Sequence, residues 1–515
     1  MDFDEVAHDL ATTLRSAAGT EEAVLQVRAT GGSLALDAWT PTREWLRISG
    51  SSLRSLFDAP AGTYELRLRP DGSYTFAAGG ALSPAADGWL VFDENFRYPG
   101  HPRPGLLRPA AAAPTGAPTD PAVLAEVTRL CEEFAAHYTR IKGQAPPWPA
   151  GRTEAEIAAA EERIGLRLPE DLRALYRVAD GDPEQVGLLG PYSCNALGQV
   201  VAGYLEGLPG SYGWEDSVSD TGVVFEPLPF GHVKRLSRND WWVTFGGDRA
   251  MNFLFTDLDP APDGRAGQVV EYGRDIHGPL RYVAPSVTAM LTEVVEALRE
   301  GRYEDYEDGV FLEPEVSLRD SPFRSHTEVI NGPGVEHAHD VADRPLVQQL
   351  YLNDADTVNL AALQGFPALK EVSINRAARV TGGLAHLPAL EALSVEAGEV
   401  DLDAFAGHRL WRLELKVLKH PVDLAWLAAL PSLVHLDVSG VEVTGLKRVG
   451  ELRHLRVLGL DRAQLDHLLA AGAPLPRLAA LHVERRTSLA EAVALWSRFS
   501  PEGEAPWYVE STGNV

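Results

Sequence analysis

The sequence is poor in cysteine and in basic charge. Its 515 residues include two cysteines, Cys131 and Cys194, too few for a disulfide framework and without the paired spacing of a structural zinc site. Lys and Arg number 46 against 73 Asp and Glu, a formal net charge of −27 at pH 7. Such a surface repels nucleic-acid phosphates and attracts basic proteins. We therefore expect a protein partner, basic in character, and no nucleic acid.

Long apolar runs are missing as well. No stretch of about 18 consecutive apolar residues is present, which is the length that a membrane-spanning helix needs. Residues 1–14 lack the charged and then apolar pattern of a secretory leader. The sequence thus predicts neither a membrane segment nor secretion, and we expect a cytoplasmic protein.

Local catalytic motifs are also absent. The sequence has no glycine-rich phosphate loop, no dinucleotide fingerprint, no Gly-x-Ser-x-Gly and no His-Glu-x-x-His. We therefore predict no catalytic residues, no metal site and no cofactor. A catalytic set assembled from distant residues leaves no such pattern, so an enzyme within residues 1–105 stays open as an alternative.

What the sequence does contain is one short phrase repeated seven times in its last third. The phrase is an aliphatic residue, usually leucine, two variable residues, an aliphatic, one variable residue and an aliphatic. Its copies begin 20 to 23 residues apart, at Val347, Leu369, Leu390, Leu410, Leu433, Leu455 and Leu478. This period is typical of leucine-rich repeats, whose units each hold one strand and stack into a curved solenoid. We predict seven such repeats over residues 347–486.

The alternation of side chains along each strand predicts the exposed face of the repeats. Aliphatic residues point inward, and the residues between them line the concave face. The predicted partner-binding residues there are Tyr351, Asn375, Glu396, Glu414, Lys416, Asp437, Asp461, His482 and Glu484. Carboxylates on one sheet face repel one another, so the pattern favours a basic partner. The alternative is that exposed strand positions are simply polar.

The first segment has the pattern of a small α+β domain. Phe3, Val6, Leu10 and Leu14 share one helical face. Alternating runs at 24–28, 34–39, 64–69 and 74–76 predict strands, and Pro70-Asp71-Gly72 predicts a hairpin turn. We assign residues 1–105 to this domain, whose role the sequence does not indicate. Residues 106–120, rich in proline and alanine, are typical of a linker.

A second domain is predicted over residues 121–303. Thr153 and Glu156 form a capping box at the start of a helix that Gly165 ends. Apolar runs at 222–225, 241–245, 251–256 and 268–272 predict four strands, and the stripe from Val287 to Leu298 predicts a closing helix.

Several stretches of this domain resemble the SUKH superfamily, which includes fungal cell-wall-assembly regulators and many bacterial immunity proteins. They are Thr153-Glu154-Ala155-Glu156-Ile157 through Glu161, Gly165 to Leu172, Tyr176, Asp180-Gly181, Phe245-Gly246-Gly247-Asp248, Phe253 to Asp257 and Gly267 to Val270. The resemblance implies a non-enzymatic binding domain, in bacteria often one that neutralises a toxin. A long insert at residues 187–229 departs from the family.

Candidate binding residues in this domain are Trp214, Trp241, Trp242 and Asp248. Because Trp241 and Trp242 are neighbours on a predicted strand, they point to opposite faces and cannot both enter one core. One of them is therefore a candidate surface anchor. The alternative is that a helix or the long insert covers the second face.

Together these patterns predict a multidomain α/β and α+β protein. Its parts are a small α+β domain (1–105), a linker (106–120), a SUKH-like α+β domain (121–303), a linker with the solenoid N-cap (304–346), a leucine-rich-repeat solenoid (347–486) and a C-terminal cap (487–515). The predicted function is non-catalytic protein recognition, as a bacterial immunity-type protein that binds and occludes a toxin. The alternative is a regulatory scaffold, of the cell-wall or signalling type, that links protein partners.

Overall fold

The chain folds with helices and several β-sheets into a mixed α/β architecture of two compact units. One unit comprises Met1–Phe96 with Thr327–Val515, and the other comprises Arg97–His326. The computed structural model describes residues 3–30, 33–43, 45–48, 53, 56, 59–80, 88–93, 95–102, 112–206, 222–248, 250–276, 279–307, 309–312, 326–332, 338, 340–341, 343–484, 486–500 and 506–515.

The described part of the N-terminal segment contains one helix and five strands. They are α1 (Phe3–Ala18), β1 (Ala23–Thr30), β2 (Ser33–Trp39), β3 (Gly62–Leu68), β4 (Ser73–Gly79) and β5 (Trp89–Val91). The predicted stripe of α1 is confirmed, because Leu10 and Leu14 are buried in the core. The predicted hairpin is confirmed too, and Asp71 Oδ1 accepts a hydrogen bond from Ser73 N at 2.9 Å in its turn.

The middle unit contains five helices and seven strands among its described residues. They are α2 (Pro121–Lys142), α3 (Glu154–Ile164), α4 (Glu170–Val178), β6 (Ser193–Cys194), α5 (Leu197–Glu206), β7 (Trp242–Gly247), β8 (Asn252–Asp257), β9 (Gln268–Gly273), β10 (Arg281–Ala284), α6 (Val287–Glu300), β11 (Tyr303–Tyr306) and β12 (Gly309–Leu312). The capping box of α3 is confirmed, with Thr153 and Glu156 each bonded to the other's backbone, and Gly165 ends the helix in the left-handed conformation.

The sheet of this unit is antiparallel, with the strand order β10-β9-β8-β7-β6. One apolar core holds strand residues such as Phe245 and Leu254 together with Leu175 of α4 and Leu291 of α6. The helices therefore cover one face of the sheet, as the amphipathic stripes require.

One strand prediction in this unit is wrong, and two segments that were predicted as linkers make contacts within the unit. Residues 222–225 form no strand: Val223 is buried, and the carbonyl of Gly222 lies 3.0 Å from the His101 ring instead of pairing with a strand. At the start of the predicted linker and N-cap (304–346), β11 pairs with β12, and Asp305 forms an ion pair with Lys142 at 2.6 Å. Within the predicted linker 106–120, the carbonyl of Ala112 accepts a hydrogen bond from Arg167 N at 2.6 Å.

The last third of the chain adds twelve strands and two helices in the described residues. They are β13 (Thr327–Asn331), β14 (Gln349–Asn353), β15 (Thr357–Asn359), β16 (Glu371–Thr381), β17 (Ala392–Val400), β18 (Arg412–Lys416), β19 (Val422–Asp423), β20 (His435–Gly440), β21 (Val443–Thr444), β22 (Val457–Leu460), α7 (Arg462–Ala470), β23 (Ala480–Val483), α8 (Leu489–Phe499) and β24 (Tyr508–Asn514). Short 3-10 turns occupy Arg344–Leu346, Leu360–Ala362, Leu402–Phe405, Leu424–Ala429 and Leu446–Glu451.

Eight of these strands form one long parallel sheet. They lie in chain order, β13-β14-β16-β17-β18-β20-β22-β23, and β5 adds an antiparallel strand beyond β23. Each of the seven repeated phrases supplies one strand, and its inward aliphatic residues are buried, as Leu350 and Leu352 are on β14. Seven regularly spaced strands thus carry both a continuous apolar core and an opposite, polar face.

The N-terminal segment and the last third belong to one compact unit, which differs from the separate domains that the sequence suggested. Leu90 of β5 is buried in the core of the parallel sheet. Conversely, the last third of the chain contributes β24 to the N-terminal sheet. This strand pairs with β4, and the order of the sheet is β2-β1-β3-β4-β24. The predicted C-terminal cap therefore also builds the N-terminal sheet. Among the described residues, no helix is both long and apolar enough to cross a membrane.

Candidate functional site

One row of side chains runs across the polar side of the parallel sheet. In strand register its members are Tyr351, Ser373, Ser394, Glu414, Asp437, Gly459 and His482, followed by Trp89 of β5 opposite His482. We call this side of the sheet the row face. Four of the residues predicted for the concave face, Tyr351, Glu414, Asp437 and His482, lie in this row.

A buried ion pair lies beside the row. Arg412 of β18 forms a salt bridge with Glu371 of β16, and both residues are buried. Gln349 Nε2 donates to Glu371 Oε2 at 3.0 Å, and the same nitrogen lies 3.0 Å from the hydroxyl of Tyr351. These contacts link β14, β16 and β18 through their side chains, across β17, which lies between β16 and β18.

Glu414 continues this polar chain toward the middle of the sheet. Its Oε1 lies 3.7 Å from Arg412 Nε, and its Oε2 lies 3.4 Å from Lys416 Nζ and accepts from Ser394 Oγ at 3.2 Å. Burial alone would raise the pKa of Glu414, but the positive charges of Arg412 and Lys416 oppose burial, and the pKa lies below its usual value. The carboxylate is therefore ionised at neutral pH.

Asp437 is held by three contacts. Its Oδ1 accepts from Ser439 N at 2.9 Å and from Ser439 Oγ at 2.7 Å, and its Oδ2 lies 3.4 Å from His482 Nδ1. Burial opposes ionisation, but the hydrogen bonds from His482 and Ser439 outweigh it and hold the pKa of Asp437 well below its usual value. The result is a fixed negative charge.

Gly459 makes the contact between Asp437 and His482 possible. These two residues lie on β20 and β23, with β22 between them, so the Asp437 side chain must cross β22. A Cβ at Gly459 would lie 2.3 Å from Asp437 Cγ, which is closer than real contacts allow. Only glycine leaves the space that the carboxylate occupies.

Trp89 closes the row at its far end. Its ring stacks on His482 at a centroid distance of 5.0 Å and meets the edge of His435 at 6.0 Å. His435 itself is buried, and that burial lowers its pKa to about 4, so the ring is neutral at pH 7. Trp89 could not be predicted for this row, because no local pattern connects residues 89–91 with repeats that begin at Val347.

The remaining predicted residues of the concave face lie outside this row. Asn375 Nδ2 donates to Asn353 Oδ1 at 2.8 Å in the next row, where the partly exposed Glu396 and the exposed Lys416 also lie. Asp461 is the N-cap of α7, and its Oδ1 accepts from Gln464 N at 2.8 Å, so it stabilises that helix. Glu484 is exposed just after β23.

The expected repulsion among the carboxylates of this face is largely relieved within the protein. Arg412 pairs with Glu371 and lies near Glu414, Lys416 lies near Glu414, and His482 contacts Asp437. Of the predicted acids, Glu414 and Asp437 lie in one row. The contacts of Arg412 with Glu371 and of His482 with Asp437 join different repeats, so the sequence pattern does not show them. A basic partner therefore does not follow from repulsion alone.

Of the candidate residues in the middle unit, the structure describes Trp241, Trp242 and Asp248. Trp242 is 3% exposed and packs with Val233, Phe255, Val270 and Leu280, so its prediction as an accessible contact is wrong. Trp241 is partly buried, with Lys234 Nζ 5.7 Å from its ring.

Asp248 has a local structural role. Its Oδ1 accepts from Ala250 N at 2.8 Å and Asn252 N at 3.0 Å in the turn between β7 and β8. Trp214 lies outside the described residues.

The motif residues that carry the family resemblance are structural where the contacts are known. Glu161 Oε1 accepts from Leu168 N at 2.8 Å, and its Oε2 lies 2.6 Å from Arg173 Nη1, with both side chains 1% exposed. Among the described residues, no group of three or more His, Cys, Asp or Glu side chains is arranged to hold a metal ion.

Comparison with known proteins gives one family match, at residues 151–293, to the SMI1 / KNR4 family (SUKH-1). It confirms the resemblance for this segment. The family is generally non-enzymatic, and the match supports a protein-binding domain of the immunity or regulator type. Comparison with curated proteins gives no match.

Among solved structures, an internalin from Listeria monocytogenes is 14% identical over 30% of this chain and 53% of its own, with a TM-score of 0.21. The chain thus spans about half the length of that internalin. A likeness of this size carries no argument about fold or function.

Proposed function

We propose that the protein is a non-catalytic recognition protein whose row face binds a protein partner. The observation that carries the proposal is the row itself, in which Tyr351, Glu414, Asp437, His482 and Trp89 are held in register by contacts within the sheet. Side chains fixed before binding lose little conformational freedom on association, which favours affinity. Tyrosine and tryptophan at the ends of the row are residue types that dominate binding energy in interfaces.

In this proposal the parallel sheet is a leucine-rich-repeat solenoid. Its support is the 20- to 23-residue spacing of seven aliphatic phrases and the parallel order of the strands they supply. Stacked repeats of this kind use their extended sheet face for recognition. The predicted residues Asn375, Glu396, Lys416 and Glu484 then line the border of the row face, where charges adjust association rate and specificity.

The partner we propose is a basic toxin, which the protein neutralises in the manner of a bacterial immunity protein. The family match includes this type of domain, and the net charge of −27 favours fast association with a basic protein. Glu414 and Asp437 supply ionised carboxylates that can pair with cationic groups of the toxin. The mechanism is occlusion, because bound cationic groups are no longer available to the toxin's own substrate.

A regulatory scaffold is the second candidate. The division into two compact units favours it, because one unit carries the family segment and the other carries the row face. Two binding surfaces on one chain raise the effective concentration of one partner near the other. A scaffold binds two proteins at once, whereas an immunity protein needs only its toxin.

Affinity capture with matched charge reversals tests the proposed function. The tagged chain is expressed in its own cells, beside a variant with Glu396→Lys and Glu484→Lys and a control with Asp403→Lys and Glu451→Lys, two exposed acids away from the strands of the row face. We expect a basic partner that the wild type and the control retain and the row-face variant loses. Equal capture by all three proteins would contradict binding through the row face, and simultaneous capture of two partners would favour the scaffold.

A further inference from the structure

A groove opens beside the row face, where β20 and β22 end. Its volume is about 510 Å³, and its lining comes from two segments, within residues 439–446 and 461–467. Ser439, which lines the groove, donates to Asp437 of the row face at 2.7 Å. The groove therefore continues the row face at its edge.

A change in the repeat produces this groove. β21 pairs with β19 of the preceding repeat, in a small sheet of their own. In the next repeat, which the structure describes in full, β22 ends at Leu460 and α7 begins at Arg462, so a helix stands where the earlier repeats have a short strand. The pairing of short strands thus stops at β21 and leaves space between β21 and α7.

The floor of the groove is apolar. Val441 and Leu446 line it and are 5% and 4% exposed. Gln464, a buried polar residue of the lining, donates to the carbonyl oxygens of Val438 at 3.0 Å and Val441 at 2.7 Å. Its Oε1 accepts from Asp461 N at 2.9 Å. With that amide engaged, the floor favours contact with aliphatic groups.

Two acids, Glu442 and Asp461, also line the groove. Glu442 is exposed, and its carboxylate makes no ion pair or hydrogen bond within the described part of the chain. Asp461 uses Oδ1 as the cap of α7. The described lining includes His467 but no lysine or arginine, and the neighbouring Arg462 pairs with acids outside it. The charge of the groove therefore favours a cation.

An aliphatic floor with two carboxylates fits a lysine side chain. Lysine lays its aliphatic stem along apolar surface and keeps its ammonium at charged or polar groups. The ammonium contacts single oxygens of separate carboxylates, whereas a guanidinium gains most from both oxygens of one carboxylate or from an aromatic face. Among the described lining residues there is no phenylalanine, tyrosine or tryptophan, and Oδ1 of Asp461 is already engaged. Lysine is therefore a better fit than arginine.

We propose that this groove binds a lysine side chain of the partner protein, with its stem over Val441 and Leu446 and its ammonium at Glu442 and Asp461. The inference rests on the proposed function and assigns a contact to its basic partner. It gives Asp461 a second role besides capping α7. It also extends the recognition surface from the row face to the edge formed by β21 and α7.

Filling the groove tests the proposal without a change of charge. Ala463 is exposed on α7 and lines the groove, so Ala463→Leu adds an aliphatic side chain there. Ala470→Leu, at an exposed position of the same helix outside the lining, is the matched control. Fluorescein-labelled hexa-lysine and hexa-arginine are titrated with the full chain at physiological salt and followed by anisotropy. We expect Ala463→Leu to weaken hexa-lysine binding about fivefold, on the scale of one buried methylene of the stem, and hexa-arginine binding by less than about twofold. Ala470→Leu is expected to change neither affinity.

Removal of the two charges is the second test. Glu442→Gln and Asp461→Asn keep the size of each side chain, and asparagine is itself a good N-cap, so the fold is retained. We expect the double variant to weaken hexa-lysine binding about fivefold, whereas Asp403→Asn, at an exposed acid outside the groove, has little effect. Equal losses of Ala463→Leu for both peptides, or equal effects of Ala463→Leu and Ala470→Leu, would overturn the proposal.

The outcome for the groove is distinguishable from the outcome for the proposed function. If Ala463→Leu binds hexa-lysine like wild type while the Glu396 and Glu484 reversals abolish partner capture, the lysine site is wrong and recognition through the row face stands. If neither set of variants has an effect, both are wrong.

Discussion

Substitution of Gly459 by alanine tests whether the row face is held together in the way the contacts indicate. A Cβ at this position would lie 2.3 Å from Cγ, 2.4 Å from Oδ2 and 2.6 Å from Oδ1 of Asp437. The carboxylate therefore has to leave its place above β22 and give up its contact with His482. A hydrogen bond to a charged group contributes about 1.5–3 kcal/mol and overpacking costs about 1–3 kcal/mol. Since solvent can rehydrate the displaced carboxylate, we expect a net loss of about 2 kcal/mol.

Gly459→Ala is expected to destabilise the protein only when the Asp437 carboxylate is present, so a variant without that carboxylate is the control. Gly459 is not among the residues with a positive backbone φ. Alanine is therefore tolerated by the backbone and on its own stabilises by about 0.5 kcal/mol through the unfolded chain. Asp437→Ala removes all three clashing atoms. In that background we expect Gly459→Ala to be neutral or slightly stabilising, which gives a coupling of about 2–3 kcal/mol between the two sites.

The assay compares wild type, Gly459→Ala, Asp437→Ala and the double variant. Their unfolding in urea is followed by hydrogen exchange of peptides from residues 435–483. This reading follows the unit that contains the parallel sheet separately from the middle unit. Equal costs of Gly459→Ala in both backgrounds would refute the reasoning, because the cost would then not come from the Asp437 carboxylate.

Three further predictions concern the two compact units. Arg173→Met leaves the buried Glu161 without its main partner, and we expect it to lower the free energy of unfolding of the middle unit by about 3–5 kcal/mol in urea. The double variant Arg173→Met/Glu161→Leu, which buries no unpaired charge, is expected to lose less. Burial raises the pKa of Asp257 from 3.8 to about 6. Its contribution to the free energy of unfolding is therefore present below about pH 4 and is lost as the pH rises through about 6. We expect Asp257→Asn to remove this difference between unfolding measured at pH 4.5 and at pH 7. Residues 1–105 alone are expected to show no cooperative thermal transition in circular dichroism, because β24 (508–514) is missing from their sheet; a sharp transition would contradict this.

Local patterns were sufficient to predict much of the secondary structure. The seven phrases placed seven strands because the spacing of leucine and valine directly reflects burial on one side of a strand. The capping box at Thr153 and the turn at Asp71 were predictable because each depends on residues within a few positions of one another. The same alternation rule placed Tyr351 and Asp437 in one row of the sheet.

Features that depend on distant residues were not predictable in this way. The pairing of β5 with β23 and of β24 with β4 joins opposite ends of the chain, and no periodicity within either strand indicates its partner. Trp89 was missed for this reason. The ion pair of Arg412 with Glu371 was missed as well, because it joins β18 to β16 across β17.

Apolar residues in short runs were the third source of error. Val223 is buried without strand pairing, and Trp242 is buried in a small second core on the other side of its sheet. A short apolar run indicates burial but does not specify the conformation that achieves it. The sequence therefore overestimated both the number of strands near residue 222 and the accessibility of Trp242.

The most direct test of recognition through the row face is hydrogen exchange of the protein with its captured partner. We expect slower exchange in the complex for peptides covering residues 412–416, 435–440, 480–483 and 88–93, with little change in the 3-10 turns at 424–429 and 446–451. Protection confined to residues 97–326, with these strands unchanged, would contradict the account and assign recognition to the middle unit alone.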